Sequence, residues 1–179
     1  MDPNAEKFAN ADCPKVKVSW YDVQRFIQRL NSIKKDENLT FRLPTEAEWE
    51  FAAREGDPKS AYKYSGSNNL EEVATVIPPN DRFKGRYLGT YEVHRHKANK
   101  LGIYHMSGNV KEWCEDYYGL YTTKEEVNPI GPRIGYSKVL RGGSFRSDER
   151  TCRVYHRDCA FPDTKGDNIG FRLVLEIDN

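Results

Sequence analysis

The chain has 179 residues, and its 28 Lys plus Arg against 27 Asp plus Glu leave a formal net charge of +1. That balance excludes the one-signed excess of a nucleic-acid groove or a polybasic membrane patch. No apolar run approaches the roughly 18 residues of a membrane-spanning helix, so neither nucleic acid nor membrane insertion is expected.

Trp, Tyr and Phe number 3, 11 and 8 in a chain only 37% apolar, which reads as one folded, loop-rich domain over 1–179. The first predicted helix opens at Ser19, whose hydroxyl can cap the backbone N–H of Asp22. Trp20, Val23, Phe26, Ile27 and Leu30 then recur at helical spacing to about residue 33. The second begins at Thr45, with Glu48 completing a capping box. Ala47, Trp49, Phe51, Ala52, Ala53 and Arg54 carry it to Gly56, which closes it. From about 57 to 100 the chain turns to Gly, Asn, Pro and isolated apolar pairs, the pattern of a long loop. Two strands follow. KVLRGGSF is broken by Gly142 and Gly143, which suggests a bulge or a close backbone approach. NIGFRLVLEI reads as one strand, with Phe171, Leu173 and Leu175 on one face and Val174 and Ile177 on the other.

The four cysteines, Cys13, Cys114, Cys152 and Cys159, form no CxxC pair and are too scattered for a disulfide scaffold. His94, His96, His105 and His156 form no HxxxH or HExxH arrangement, and His94 and His96 read as solvated surface. The start of the chain shows no signal peptide, so surface display would come through an upstream segment.

The ordered motifs VSWYDVQRF, FRLPTEAEWEFAAREG, LGIYHMSGNVKEWCED, VLRGGSF and NIGFRL resemble the formylglycine-generating-enzyme, or sulfatase-modifying-factor, domain family. The resemblance runs from about residue 13 to 175. It implies a variant C-type-lectin-like fold, α+β, with two helices on short twisted antiparallel sheets and extensive loops. The family's N-terminal strand is missing or trimmed. Enzymes of the family hold copper on two cysteines separated by four residues, soft thiolates selecting a soft metal. The later position is Cys152 here, but the earlier is Ser147, whose hydroxyl is a hard ligand. Copper is therefore not expected, no cofactor is required, and Cys152 would be catalytic only if the enzyme alternative held. The resemblance also implies a structural calcium site, with backbone oxygens from Gly108 and Val110, the Glu112 carboxylate, and His105 where an Asp or Asn is usual. Cys114 and Cys152 both flank the presumed core, and either a disulfide or two buried free thiols fits them.

The segment FRSDERTCRVYHRDCAFPDTKGD resembles the variable region of target proteins of diversity-generating retroelements. Adenine-directed randomisation of Asn codons excludes Lys, Glu, Gln, Met and Trp. The candidate positions are Arg146, Ser147, Asp148, Thr151, Tyr155, His156, Asp158, Cys159, Ala160, Phe161, Thr164, Gly166, Asp167 and Asn168, and all fourteen lie inside the permitted set. Glu149 and Lys165 then belong to the framework, with Arg150, Cys152, Arg153, Val154, Arg157, Pro162 and Asp163. Arg153 and Arg157 would pin the loop through carbonyls or carboxylates.

The expectation is a non-catalytic module that binds a protein or other macromolecular ligand at this surface, through side chains of the kinds that dominate interfaces. The alternatives are a formylglycine-generating-type oxidoreductase, or a degenerate paralogue, acting on a cysteine-containing peptide, and a structural domain of a larger surface or defence protein.

Overall fold

In the computed structural model of the protein, residues 12–74, 76 and 89–177 are described. Helix α1 (Trp20–Ile33) starts where the sequence places it: the Asp22 N–H donates to Ser19 Oγ at 3.1 Å, and Ser19 N–H donates to Asp22 Oδ2 at 2.9 Å. Val23 and Ile27 are its buried face, while Phe26 stays half exposed and meets Phe171 edge-on. Strand β1 (Leu39–Arg42) was not legible in the sequence.

Helix α2 (Glu46–Ala53) has the expected Thr45–Glu48 capping box. It unwinds through Glu55 and Gly56, both at positive φ, and the Gly56 N–H returns to the Phe51 carbonyl at 2.9 Å. Inside the stretch read as loop, Asn69 caps a single turn, α3 (Leu70–Val73), which buries Leu70 and Val73. One turn is too short to show periodicity.

The remaining strands are β2 (Lys111–Tyr117), β3 (Lys138–Arg141), β4 (Arg157–Ala160), β5 (Ile169–Gly170) and β6 (Val174–Ile177). One sheet has the order β4-β3-β2-β5, and β1 and β6 form a second, two-stranded antiparallel sheet. β5 joins β2 in parallel, a departure from all-antiparallel pairing. The single strand expected over NIGFRLVLEI is therefore two, belonging to different sheets. Arg172 explains the break: its guanidinium turns to the Glu112 carboxylate at 2.6 and 2.7 Å and to the Tyr104 carbonyl at 3.1 Å.

The four-stranded sheet is covered on both faces. Trp113, Leu140 and Ile169 pack with Val23, Ile27 and Leu43 on the α1 side. Cys114 and Val139 pack with Trp49, Ala53, Met106 and Val154 beneath α2. A third cluster joins Cys152 to Tyr64, Leu70, Val73 and Ala74 around α3. Cys114 and Cys152 are thus free thiols in separate clusters, which decides between the two readings of that pair.

Candidate functional site

The site is organised by the turn after β3. Gly142 and Gly143 have φ of +91° and +69°, conformations that L side chains rarely adopt. A Cβ on Gly143 would lie 2.8 Å from Cys152 Sγ, so the backbone passes directly over that sulfur. Ser147 closes the turn: its Oγ accepts from the Ser144 N–H at 2.9 Å, and its own N–H donates to the Ser144 carbonyl at 2.9 Å. Ser147 is buried. This corrects its place among the displayed positions, because its hydroxyl belongs to the framework.

Cys152 is wholly buried, and burial pushes its thiol up to about 12, with Asp148 and Glu149 adding to the effect. Reactive thiols are shifted the other way. A hydroxyl held in a turn and a thiol held protonated do not fit the two-thiolate copper pair.

The calcium expectation meets a different obstacle. Both Glu112 oxygens accept from Arg172, and Oε2 also accepts from Trp49 Nε1 at 2.6 Å. A guanidinium already neutralises this carboxylate, and three N–H donors fill it. His105 is buried with φ +54°, and since a carbonyl can only accept, its Nε2 donates to Glu92 O at 3.0 Å. Burial lowers its pKa, so the ring is kept neutral. Gly108 donates its N–H to Gly142 O at 2.7 Å, and Val110 is buried. No group of three or more His, Cys, Asp or Glu among the described residues is placed to hold a metal. The residues do not fit calcium.

The other thirteen positions are exposed or half-buried. Arg146 pairs with Asp167, Asp158 pairs with Lys111, and Asn168 Nδ2 donates to Ser144 Oγ at 3.2 Å. Lys111 N–H also donates to the Asn168 carbonyl at 2.9 Å, so these four positions converge. Asp148 caps the Thr151 N–H at 2.9 Å, and Arg153 donates to the Tyr155 hydroxyl at 2.5 Å. His156 is half-buried, and burial lowers its pKa. Cys159 and Phe161 are exposed, Ala160 leans on the α1-side core, and Thr164 and Gly166 are half-buried in the return toward β5.

The backbone beneath them is tied down by Arg141, whose contacts the sequence did not reveal, and by Arg157. Arg141 is fully buried, and its guanidinium donates to the carbonyls of Val154 at 2.8 Å, His156 at 2.9 Å and Tyr155 at 3.4 Å. Its counter-ions are Glu50 and Glu46 on α2. Arg157 makes the expected pinning contact: both donors reach Glu46 at 2.6 Å, and a third reaches the Gly119 carbonyl at 2.8 Å.

Comparison with known proteins places this architecture. The profile of the Sulfatase-modifying factor enzyme 1-like domain (FGE-sulfatase) matches residues 2–177. The chain belongs to that family. It is 34% identical to the formylglycine-generating enzyme of Thermomonospora curvata over 177 residues, which cover 91% of this chain and 55% of that protein. The chain thus spans about half the length of the curated relatives it matches first. Among solved structures, Treponema denticola variable protein 1 superposes with a TM-score of 0.77 at 28% identity, covering 93% of this chain and 72% of that one. PvdO from Pseudomonas aeruginosa gives a TM-score of 0.76 at 25% identity, covering 93% and 62%. Within the FGE-sulfatase family, this chain combines a serine at the first cysteine position with a sealed thiol at the second.

Proposed function

We propose that the chain is a non-catalytic ligand-binding module, of the type varied by diversity-generating retroelements, that recognises a protein or other macromolecule through residues 146–168. One observation carries this: Ser147 Oγ and the buried Cys152 thiol stand where a copper enzyme needs two thiolates, while the neighbouring positions present solvent-reachable side chains on a pinned backbone. The likeness to a variable protein supports the reading. So does the occurrence of a similar stretch, 33% identical, as 24% of the length of Chlamydia pneumoniae serine/threonine-protein kinase pkn1, consistent with a portable module. The second reading, an oxidoreductase of the parent kind, rests on the 34% identity to the Thermomonospora enzyme and on the retained Cys152.

Incubation with copper, reductant, oxygen and a CxPxR peptide, followed by mass spectrometry, separates the two. The peptide mass should not change. A time-dependent loss corresponding to formylglycine overturns the proposal. The gene adds an independent check: a near-repeat of its 3′ end, with adenines at the codons of the variable positions, should lie beside a reverse transcriptase.

A further inference from the structure

A cavity of about 900 Å³ opens between α2 and the loop that joins β2 to β3. Of the 146–168 segment, only the framework residue Arg157 reaches it. Its apolar wall comes from Phe51 on the helix and from Leu120, Tyr121, Pro129 and Pro132 on the loop. The volume lies within the range of small-ligand and side-chain pockets, roughly 300–1,000 Å³. The loop is seated by glycines. A Cβ on Gly131, at φ +68°, would come within 3.0 Å of Asp116 Cβ, and one on Gly119 would lie 2.4 Å from Pro132 Cγ. The same loop carries Val127, Ile134 and Tyr136, each close to 90% exposed.

Most charges around the cavity are matched. Glu46 faces Arg157 and Arg141, and Glu50 faces Arg54 and Arg141. Asp116 differs. It is buried, lines the cavity, and accepts the Glu46 backbone N–H on Oδ2 at 2.8 Å, yet makes no ion pair with any described residue. Burial holds its carboxyl above the ordinary range. The nearby Lys138 relieves it only in part, through space and without an ion pair. That ammonium donates to the Glu115 carbonyl at 2.6 Å and sits over the Trp20 and Tyr117 rings. A buried carboxylate without a cation is costly, and a cavity that keeps one is complementary to an entering cation.

We infer that this cavity receives a lysine side chain of a partner polypeptide, with apolar residues flanking the lysine and Asp116 as its counter-ion. Lysine fits better than arginine because Oδ2 is already engaged by the Glu46 amide. The remaining oxygen suits a compact ammonium, whereas a guanidinium fork prefers both oxygens of a carboxylate. Phe51, Leu120 and Tyr121 cover the lysine stem, and the exposed apolar side chains of the same loop accept the flanking residues. A polypeptide uses those outer side chains, and a small free amine does not. The inference is independent of the variable-surface reading, because none of the thirteen displayed positions lines the cavity.

The test is amide chemical-shift mapping on ¹⁵N-labelled protein with an acetylated, amidated Leu–Lys–Phe tripeptide. Parallel arms use the same tripeptide with norleucine or arginine at the centre, and free 2-phenylethylamine. The lysine peptide should shift the amides of Asp116, Gly119, Tyr121 and Gly131 and bind at least tenfold more tightly than each other arm. Asp116→Asn keeps an acceptor for the Glu46 amide and should remove the preference over norleucine. Phe51→Ala, at a half-exposed position, should weaken the lysine and norleucine peptides alike. Alanine at Arg146, Tyr155 and Phe161 together should change nothing. Absence of binding, equal binding of the norleucine peptide or of free 2-phenylethylamine, an unaltered preference in Asp116→Asn, or shifts confined to 146–168 would overturn the inference.

Discussion

Replacing Arg141 by Met isolates the tie between the scaffold and the displayed segment. The guanidinium makes two well-formed bonds to buried carbonyls, those of Val154 and His156, and a longer one to Tyr155. Hydrogen bonds to charged donors contribute about 1.5–3 kcal/mol each. Glu50 keeps Arg54 and Glu46 keeps Arg157, so neither carboxylate is stranded by the change. The two well-formed bonds together give a loss of about 3–6 kcal/mol. For a chain of this size, at about 2–4 °C per kcal/mol, the melting temperature should fall by roughly 10 °C. Urea unfolding gives the free energy, and amide exchange shows where it is lost: protection should drop at 153–157 before it drops in α1. A destabilisation under about 1 kcal/mol, or uniform loss of protection, would refute the assignment of Arg141 as the anchor.

Five further outcomes are expected. Alanine at Arg146, Asp148, Tyr155, His156 and Phe161 together should leave the protein folded and cost no more than about 2 kcal/mol, since the Arg146–Asp167 pair and the Asp148 contact to the Thr151 N–H are both exposed. Trp113→Ala, at a side chain with 0% exposure whose Nε1 donates to Val18 O at 3.1 Å, should cost about 3–5 kcal/mol. Thermal melts compare the two, and failure of the five-fold variant to fold would make the segment part of the core's support. EDTA and added calcium should leave the melting temperature unchanged, because Arg172 occupies Glu112. A rise equivalent to about 2.7 kcal/mol at a hundredfold excess over the dissociation constant would show that calcium displaces it. Iodoacetamide at pH 8 should alkylate Cys159 and spare Cys114 and Cys152, as read by peptide mass spectrometry. The Cys152 thiol ionises more easily in the unfolded chain than at its folded value of about 12. Its contribution is therefore complete below the unfolded pKa and lost as pH rises toward the folded one, so alkaline titration should destabilise the protein across that window.

What the sequence revealed follows the range of the forces involved. Both long helices were legible because a capping box is written within four residues. β3 was legible from an apolar pair running into two glycines. β2 was not, since Glu112 and Asp116 are buried polar residues whose partners lie on other elements, and they hide the alternation. β4 carries too few apolar residues to signal a strand, and β5 and β6 read as one because the partner that parts them is remote. Ser147 and Cys152 were identifiable from their distance to the GGS turn. The obstacle to the calcium expectation was hidden for the same reason as the strand break: Arg172 lies 60 residues from the Glu112 it neutralises. The cavity could not be read at all, because α2, the end of β2, a loop and the start of β4 each contribute part of its wall.

The parallel pairing of β5 with β2 has a kinetic side. The chain leaves β3, builds β4 on one edge of the sheet, and must cross to the opposite edge before Ile169 and Gly170 meet Lys111 and Glu112. Every displayed position lies inside the loop that this closure completes. Contact order makes such pairings slow, since the entropy of closing a long loop is lost before the contacts form. Substitutions at these positions therefore act twice, once on the finished surface and once on the time the nascent chain stays open with that edge unpaired.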